Sequence, residues 1–275
     1  MKKRAKLLVA SILAFAASAS QAQPIDTWEY TLELNWVTSA TVFNSGTPTP
    51  GYLGGTTNTS TLLSWGERNS DYKNVNPSHG DNRSALEISG TPATGTVGID
   101  GKSVAANMFT HYNAPIYDLY PSLDMARLSV TVDLALPGSS TLYTLHRDFD
   151  VYFIETPNTG KQCAWGLCDN DIFSIITVAP TLDNFTDSFV IGGYEYTFKY
   201  FETSDFLKPL SGAACAEAGI KSGLACYGFT TPEARTTQVT FGFSMTATPV
   251  PEPETYAMLL AGLGVMGIVA RRRRS

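Results

Sequence analysis

Three short clusters in this chain hold residue types that do chemistry. The stretch FTHYNAPIY, residues 109–117, sets Thr110, His111 and Asn113 close together. In an extended segment His111 and Asn113 share one face, Thr110 points the other way, and Pro115 ends the ladder. An imidazole beside an amide can ligate a metal, but a metal site needs several such ligands converging. The reading taken is structural: both side chains bond to backbone groups and pin a strand-to-loop corner. In TLHRDFDVY, residues 144–152, His146, Asp148 and Asp150 alternate onto one strand face. They suit a cation site or the solvated side of a half-buried strand, and the second reading is taken. Asp169, Asn170 and Asp171 offer oxygen donors of the kind calcium takes, without the spaced glycine and terminal glutamate of an EF-hand loop. No cofactor is expected, with structural calcium kept open.

Nothing in the order of residues points to catalysis. There is no Gly-x-Ser-x-Gly elbow, no His-Glu-x-x-His pair and no Gly-rich phosphate loop, so the chain is not expected to be an enzyme. A hydrolase of extracellular polymers would need a cleft with two close, desolvated carboxylates. A carbohydrate-binding module would need exposed Trp or Tyr on a sheet face, for which Trp65 and Trp165 are candidates set against core packing.

Four cysteines, Cys163, Cys168, Cys215 and Cys226, permit three disulfide pairings. Cys163 with Cys168 and Cys215 with Cys226 is expected, because each pair is close in sequence and flanks a Gly-containing loop. A four-thiolate zinc site wants two closely spaced pairs, and Cys215 and Cys226 stand too far apart to make the second.

The elements that must position these groups are strands. In WEYTLELNW, residues 28–36, Trp28, Tyr30, Leu32, Leu34 and Trp36 alternate with polar residues at the two-residue period of a half-buried strand. The pattern recurs at Leu128, Val130, Val132, Leu134 and Leu136, at Tyr194, Tyr196, Phe198 and Tyr200, and at Val239, Phe241, Phe243 and Met245. Gly192-Gly193 before an aromatic strand predicts a hairpin, since glycine supplies the positive φ of tight turns. DIFSIITV and DFDVYFIET read as further strands, residues 213–218 as a possible helical turn, and residues 44–60 as a long loop or edge hairpin. The fold class is therefore all-β: an antiparallel β-sandwich or jelly roll, with helices only at the two ends.

Those ends are compositionally distinct. Residues 1–22 carry Lys2, Lys3, Arg4 and Lys6, an apolar run over 7–17, and small residues before Gln23, which is the pattern of a signal peptide cut after Ala22. Residues 256–270 are uncharged and apolar, and Arg271, Arg272, Arg273 and Arg274 follow, a block that resists translocation. Fifteen residues make a helix of roughly 22 Å, short against a bilayer core of about 30 Å, which fits a temporary inner-membrane anchor. The chain has 19 basic and 25 acidic residues; setting aside eight basic residues in the two ends, together with Glu252 and Glu254, leaves the middle at about −12. Such a surface disfavours nucleic acid and anionic lipid as partners.

Pro251, Glu252 and Pro253, then an apolar helix, then the arginine cluster, resemble the PEP-CTERM sorting signal. That resemblance implies a Gram-negative bacterium, cleavage by a membrane exosortase, and a place at the cell surface or in the extracellular matrix. Residues 246–253 would serve as a connector exposing the cleavage site. Thr110, His111 and Asn113, with Asp171-Ile172-Phe173 downstream, resemble the THxN family of PEP-CTERM proteins, for which no activity is implied. The expected organisation is a signal peptide at 1–22, a β-sandwich domain at 23–248 and a sorting signal at 249–275. The expected partners are signal peptidase, exosortase and exopolysaccharide in a biofilm or floc.

Overall fold

The computed structural model describes residues 23–46, 55–66, 83–116, 119–140, 142–156, 161–164, 166–167, 170–176, 186–221, 226–251, 260–264, 266–268 and 271–272. Ile25–Val250 forms one compact unit. The expected signal segment, residues 1–22, lies outside the described residues. In the tail, residues 260–264, 266–268 and 271–272 are helical. No helix among the described residues is long and apolar enough to cross a membrane.

In chain order the strands are β1 (Thr27–Trp36), β2 (Val42–Phe43), β3 (Thr57–Asn58), β4 (Leu62–Trp65), β5 (Ser84–Ser89), β6 (Ala93–Gly98), β7 (Val104–Tyr112), β8 (Leu123–Ala135) and β9 (Leu142–Ile154). They continue as β10 (Gln162–Cys163), β11 (Gly166–Leu167), β12 (Asn170–Ile176), β13 (Thr186–Ile191), β14 (Tyr194–Glu202), β15 (Lys208–Pro209), β16 (Cys226–Pro232) and β17 (Thr236–Pro249). One large sheet runs β15-β16-β12-β9-β8-β1-β6, with β2 also on β8, the second runs β13-β14-β17-β7-β5-β4-β3, and β10 and β11 pair as a separate two-stranded ribbon. Every sheet pairing is antiparallel.

The alternation read in β1 decides which face goes inward. Trp28, Tyr30, Leu32, Leu34 and Trp36 are all buried. Trp28 meets Tyr196 edge-on at 5.2 Å, Tyr30 meets Phe243 at 4.6 Å and Trp36 meets Phe109 at 5.6 Å. These rings join β1 of the first sheet to β14, β17 and β7 of the second, so the interface is an aromatic layer between two antiparallel sheets. The sandwich expected from the two-residue period is what forms.

Turn chemistry agrees with the reading at β13–β14. Ile191 pairs with Tyr194 across a two-residue turn in which Gly192 and Gly193 both have positive φ, 59° and 79°. A second glycine is required for a different reason. Gly228 lies opposite Ser174 on β12, and a Cβ there would run into the Phe173 carbonyl oxygen.

Residues 246–253 are not all connector. β17 continues through Thr246 to Pro249, and its register on β14 runs from Phe241 opposite Glu202 to Pro249 opposite Tyr194. The cause is the length of β14, which offers pairing partners past the point where the apolar alternation of β17 fades. Residues 44–60, expected as a long loop or an edge hairpin, hold a single short strand among the described residues, β3, which pairs at the sheet edge with β4 beyond the segment; residues 47–54 lie outside the described residues.

The one α-helix described in the compact unit is α1, Gly212–Glu217, which falls where a helical turn was read. Ser211 caps it, its hydroxyl accepting the Ala214 N–H at 3.1 Å. Cys215 on α1 is bonded to Cys226 on β16, closing a separation of 11 residues, and the pair packs in a small cluster with Ala218 and Ile220. Cys163 is also disulfide-bonded; Cys168 lies outside the described residues. Replacing Cys215 and Cys226 together by alanine is expected to lower unfolding stability by roughly 2 to 3 kcal/mol, from the loop-closure entropy restored to the unfolded chain. A urea titration of the oxidised wild type against the double variant measures it.

Candidate functional site

β7 lies in the interior of the second sheet, between β17 and β5, with His111 opposite Thr237 and Leu86. Its two-residue period turns His111 into the space between the sheets, where the side chain is 0% exposed. The imidazole is parallel to Trp65 at 6.3 Å and edge-on to Phe153 at 5.1 Å. Its Nδ1 lies 2.9 Å from the Thr231 hydroxyl oxygen, and that hydroxyl donates to Thr237 Oγ1 at 2.9 Å. With the Thr231 proton directed at Thr237, the imidazole donates through Nδ1, leaving Nε2 buried with no hydrogen-bond partner among the described residues. Asn113 is also fully buried; its Nδ2 donates to the Thr231 carbonyl at 2.8 Å and its backbone N–H to the Arg235 carbonyl at 2.9 Å.

Thr231 belongs to β16 of the first sheet and Thr237 to β17 of the second. The chain crosses between sheets at residues 233–235, with Ala234 at a φ of 55°. His111 and Asn113 thus hold the corner of this crossover from across the sandwich. Both side chains were expected to bond to backbone groups; Asn113 does so, whereas His111 bonds to a hydroxyl. Thr110, on the opposite face of β7, is buried as well.

The same corner gathers carboxylates. Asp171 on β12 is the register partner of Thr231 and is 0% exposed. Its Oδ1 accepts the Thr156 N–H at 2.9 Å and the Thr156 hydroxyl at 3.3 Å, while Oδ2 has no hydrogen-bond partner among the described residues. Glu155, just past β9, and Glu233, just past β16, bring a carboxylate oxygen each, and the three oxygens lie within 4.8 Å of one another. Glu155 Oε2 accepts the Trp65 indole N–H at 3.0 Å. Burial, then the facing Glu155 charge, push the Asp171 carboxyl well above the usual carboxylate range. Two unit charges within 4.8 Å of each other repel by at least about 3 kcal/mol at an effective dielectric constant of about 20.

One continuous assembly results. Trp65 stacks on His111 and holds Glu155; Thr231 holds His111 and Asn113 and pairs with Asp171. Three oxygen anions set this close can share a proton or grip a cation, and their residue types suit a hard cation. The oxygen donors expected at Asp169, Asn170 and Asp171 are not brought together as read. Asp169 lies outside the described residues, and Asp171 faces Glu155 and Glu233, because successive residues of β12 point to opposite sides.

The other expected sites fall as follows. His146 and Asp148 are exposed on β9, with His146 Nε2 3.2 Å from the Asp148 carboxylate; Asp150 pairs with Arg127 at 2.8 Å. They form the solvated face of a half-buried strand. Trp65 is fully buried and provides no sugar platform; Trp165 lies outside the described residues. Pro251 is exposed, Arg271 and Arg272 are helical, and Glu252, Pro253, Arg273 and Arg274 lie outside the described residues. Close carboxylates, one of them desolvated, are present, yet a groove of about 500 Å³ over Gly90, Asn107 and Thr240 and a cavity of about 20 Å³ beside Leu145 and Tyr200 are lined by other residues.

Sequence reasoning missed Thr231, Glu155 and Glu233. No local spacing links them to His111 or Asp171; their only signal is that Glu155 and Thr156 end one strand run and Thr231 and Glu233 flank the end of another.

Burial alone pulls the His111 imidazole down from its ordinary 6.5 to about 3, and the rings and Thr231 that touch it carry no charge to offset this. The unfolded chain takes up a proton that the folded state refuses. The His111 contribution is complete above pH 6.5 and is lost as pH falls towards 3. Relative to a His111→Leu variant, wild type is expected to lose stability over that window, with a slope approaching about 1.4 kcal/mol per pH unit. Denaturant unfolding of both proteins at stepped pH reads the difference; a constant gap contradicts it.

A family model described as the PEP-CTERM protein-sorting motif matches residues 249–274. No curated protein and no solved structure matches the chain. The matched segment contains Pro251, Glu252, Pro253 and all four terminal arginines. The chain carries a PEP-CTERM protein-sorting motif, and that motif implies export in a bacterium, processing by an exosortase and a place at the cell surface.

Proposed function

We propose that the compact β unit is a noncatalytic surface or matrix protein of a Gram-negative bacterium, associated with exopolysaccharide in a biofilm or floc. Residues 1–22 act as a signal peptide removed by signal peptidase. Residues 256–270 anchor the chain in the inner membrane until exosortase cuts near the Pro251-Glu252-Pro253 tripeptide. The motif Thr110, His111 and Asn113 supports assigning the chain to the THxN group, and the role of His111 and Asn113 is to fasten the β16–β17 corner.

The observation that carries this reading is the sorting motif at residues 249–274. Three features support it. The middle of the chain carries about −12, suited to solubility and to neutral glycans or cations rather than nucleic acid. Cys215–Cys226 is a disulfide, which persists in an oxidising compartment. The close carboxylates stand among buried core residues, with Asp171 sealed from solvent, which does not resemble a substrate cleft.

Mass spectrometry of the protein recovered from the outer surface tests the route. The expected species begins at Gln23 and lacks the arginine block, while a Glu252→Ala variant keeps its tail and accumulates in the membrane fraction. Intact Arg271 and Arg272 on surface protein overturn the processing step. Incubating the surface protein with the host's purified exopolysaccharide is expected to give co-sedimentation with no release of reducing ends; steady release of reducing ends overturns the noncatalytic role.

A further inference from the structure

The carboxylates at the β16–β17 corner come from three separate places in the chain: Glu155 beyond β9, Asp171 within β12 and Glu233 beyond β16. Their oxygens converge to within 4.8 Å of one another although the residues are remote in sequence. Ligands on opposite sides of a calcium ion, bonded at 2.3–2.6 Å, stand about 5 Å apart, whereas those of magnesium stand about 4 Å apart. Oxygens within 4.8 Å of one another fit around one calcium ion, and three protein carboxylates suit calcium, which takes six to eight oxygens in flexible geometry, over magnesium, which keeps several waters and binds through one or two carboxylates. All its donors are oxygens, with no thiolate or imidazole among them, which selects a hard cation.

A second observation points the same way. The Asp171 side chain is fully buried, and Thr156 occupies Oδ1 through both its N–H and its hydroxyl. Oδ2 is buried without a hydrogen-bond partner among the described residues. A buried carboxylate oxygen left so is costly unless something positive or protonated meets it. We propose that Glu155, Asp171 and Glu233 form a calcium site at the corner where the chain passes from one sheet to the other. Water and backbone carbonyls complete the six to eight oxygen ligands that calcium takes. Asp171 is the fixed donor, oriented by Thr156. Glu155 is held by the Trp65 indole, and Glu233 follows the strand end that His111 and Asn113 fasten. Bound calcium ties β9, β12 and the β16–β17 crossover together, at the affinity of extracellular calcium modules, about 10⁻⁴ to 10⁻³ M.

The structure supplies its own reporter, because Trp65 touches Glu155 and can sensitise terbium, which substitutes for calcium. The full chain, disulfides oxidised and stripped with EDTA, is titrated with terbium under tryptophan excitation. Saturable emission displaced by calcium, with calcium also raising the unfolding midpoint, is the expected result. Glu155→Gln and Glu233→Gln alter half-buried side chains; each is expected to unfold without metal at or above the wild-type midpoint and to bind terbium at least tenfold more weakly. A Glu29→Gln control on the outer face of β1 binds as wild type does. Asp171→Asn is a less safe test, since it alters a fully buried side chain, and the two Glu variants keep the proposal falsifiable if it fails to fold. Absence of saturable emission, unchanged binding in Glu233→Gln, or displacement by magnesium as effective as by calcium overturns the site.

Discussion

A buried imidazole and a buried amide on one strand must find partners inside an apolar sandwich, and Thr231 on the opposite sheet supplies both. Its hydroxyl takes His111 and its carbonyl takes Asn113. A polar group sealed from water without a partner costs on the order of 1–3 kcal/mol, so these contacts fix the distance and the register between the two sheets at that point. The aromatic layer contributes apolar burial alongside the aliphatic core, but aromatic contact tolerates sliding. Hydrogen bonds of 2.8 to 2.9 Å do not. The β16–β17 crossover, where the chain changes sheets, is thereby placed.

From this constraint the rest of the corner follows. Thr231 lies opposite Asp171, so fastening Thr231 brings the β12 carboxylate to the same end of the interior. Trp65 completes the link, stacked against His111 on one side and donating to Glu155 on the other. The imidazole and the Asp171 carboxyl respond to burial in opposite senses: burial lowers the proton affinity of His111 and raises that of Asp171. Both shifts express one fact, that these two side chains are shut away from water.

The function lies on a different part of the chain. The sorting motif is a matter of composition and order, and it acts before or without the fold: an apolar segment and basic residues are read by membrane and enzyme. The strands of the β unit hold an acidic exterior away from an aromatic interior, and its disulfide suits the oxidising side of the membrane.

Much of the fold was legible because a strand writes its two faces into alternate residues: β1, β8, β14 and β17 were each readable from Trp28, Leu128, Tyr194 and Val239 onward. The hairpin at Gly192-Gly193, the turn of helix at α1 and the Cys215–Cys226 pairing were legible for the same reason, being local. The far end of β17 was not, since Thr246 to Pro249 is strand only because β14 is there to pair with it. The corner lay still further from view. His111 and Asn113 announced that some corner would be pinned, but nothing local names Thr231 as the partner or sets Glu155 and Glu233 beside Asp171. By itself the sequence determined the destination of the protein, the class of its fold and the inward face of each long strand, because these depend on hydrophobicity, charge and a fixed period. Only the tertiary structure decided which polar side chains meet, because antiparallel pairing and sheet stacking join residues at separations that no local pattern encodes.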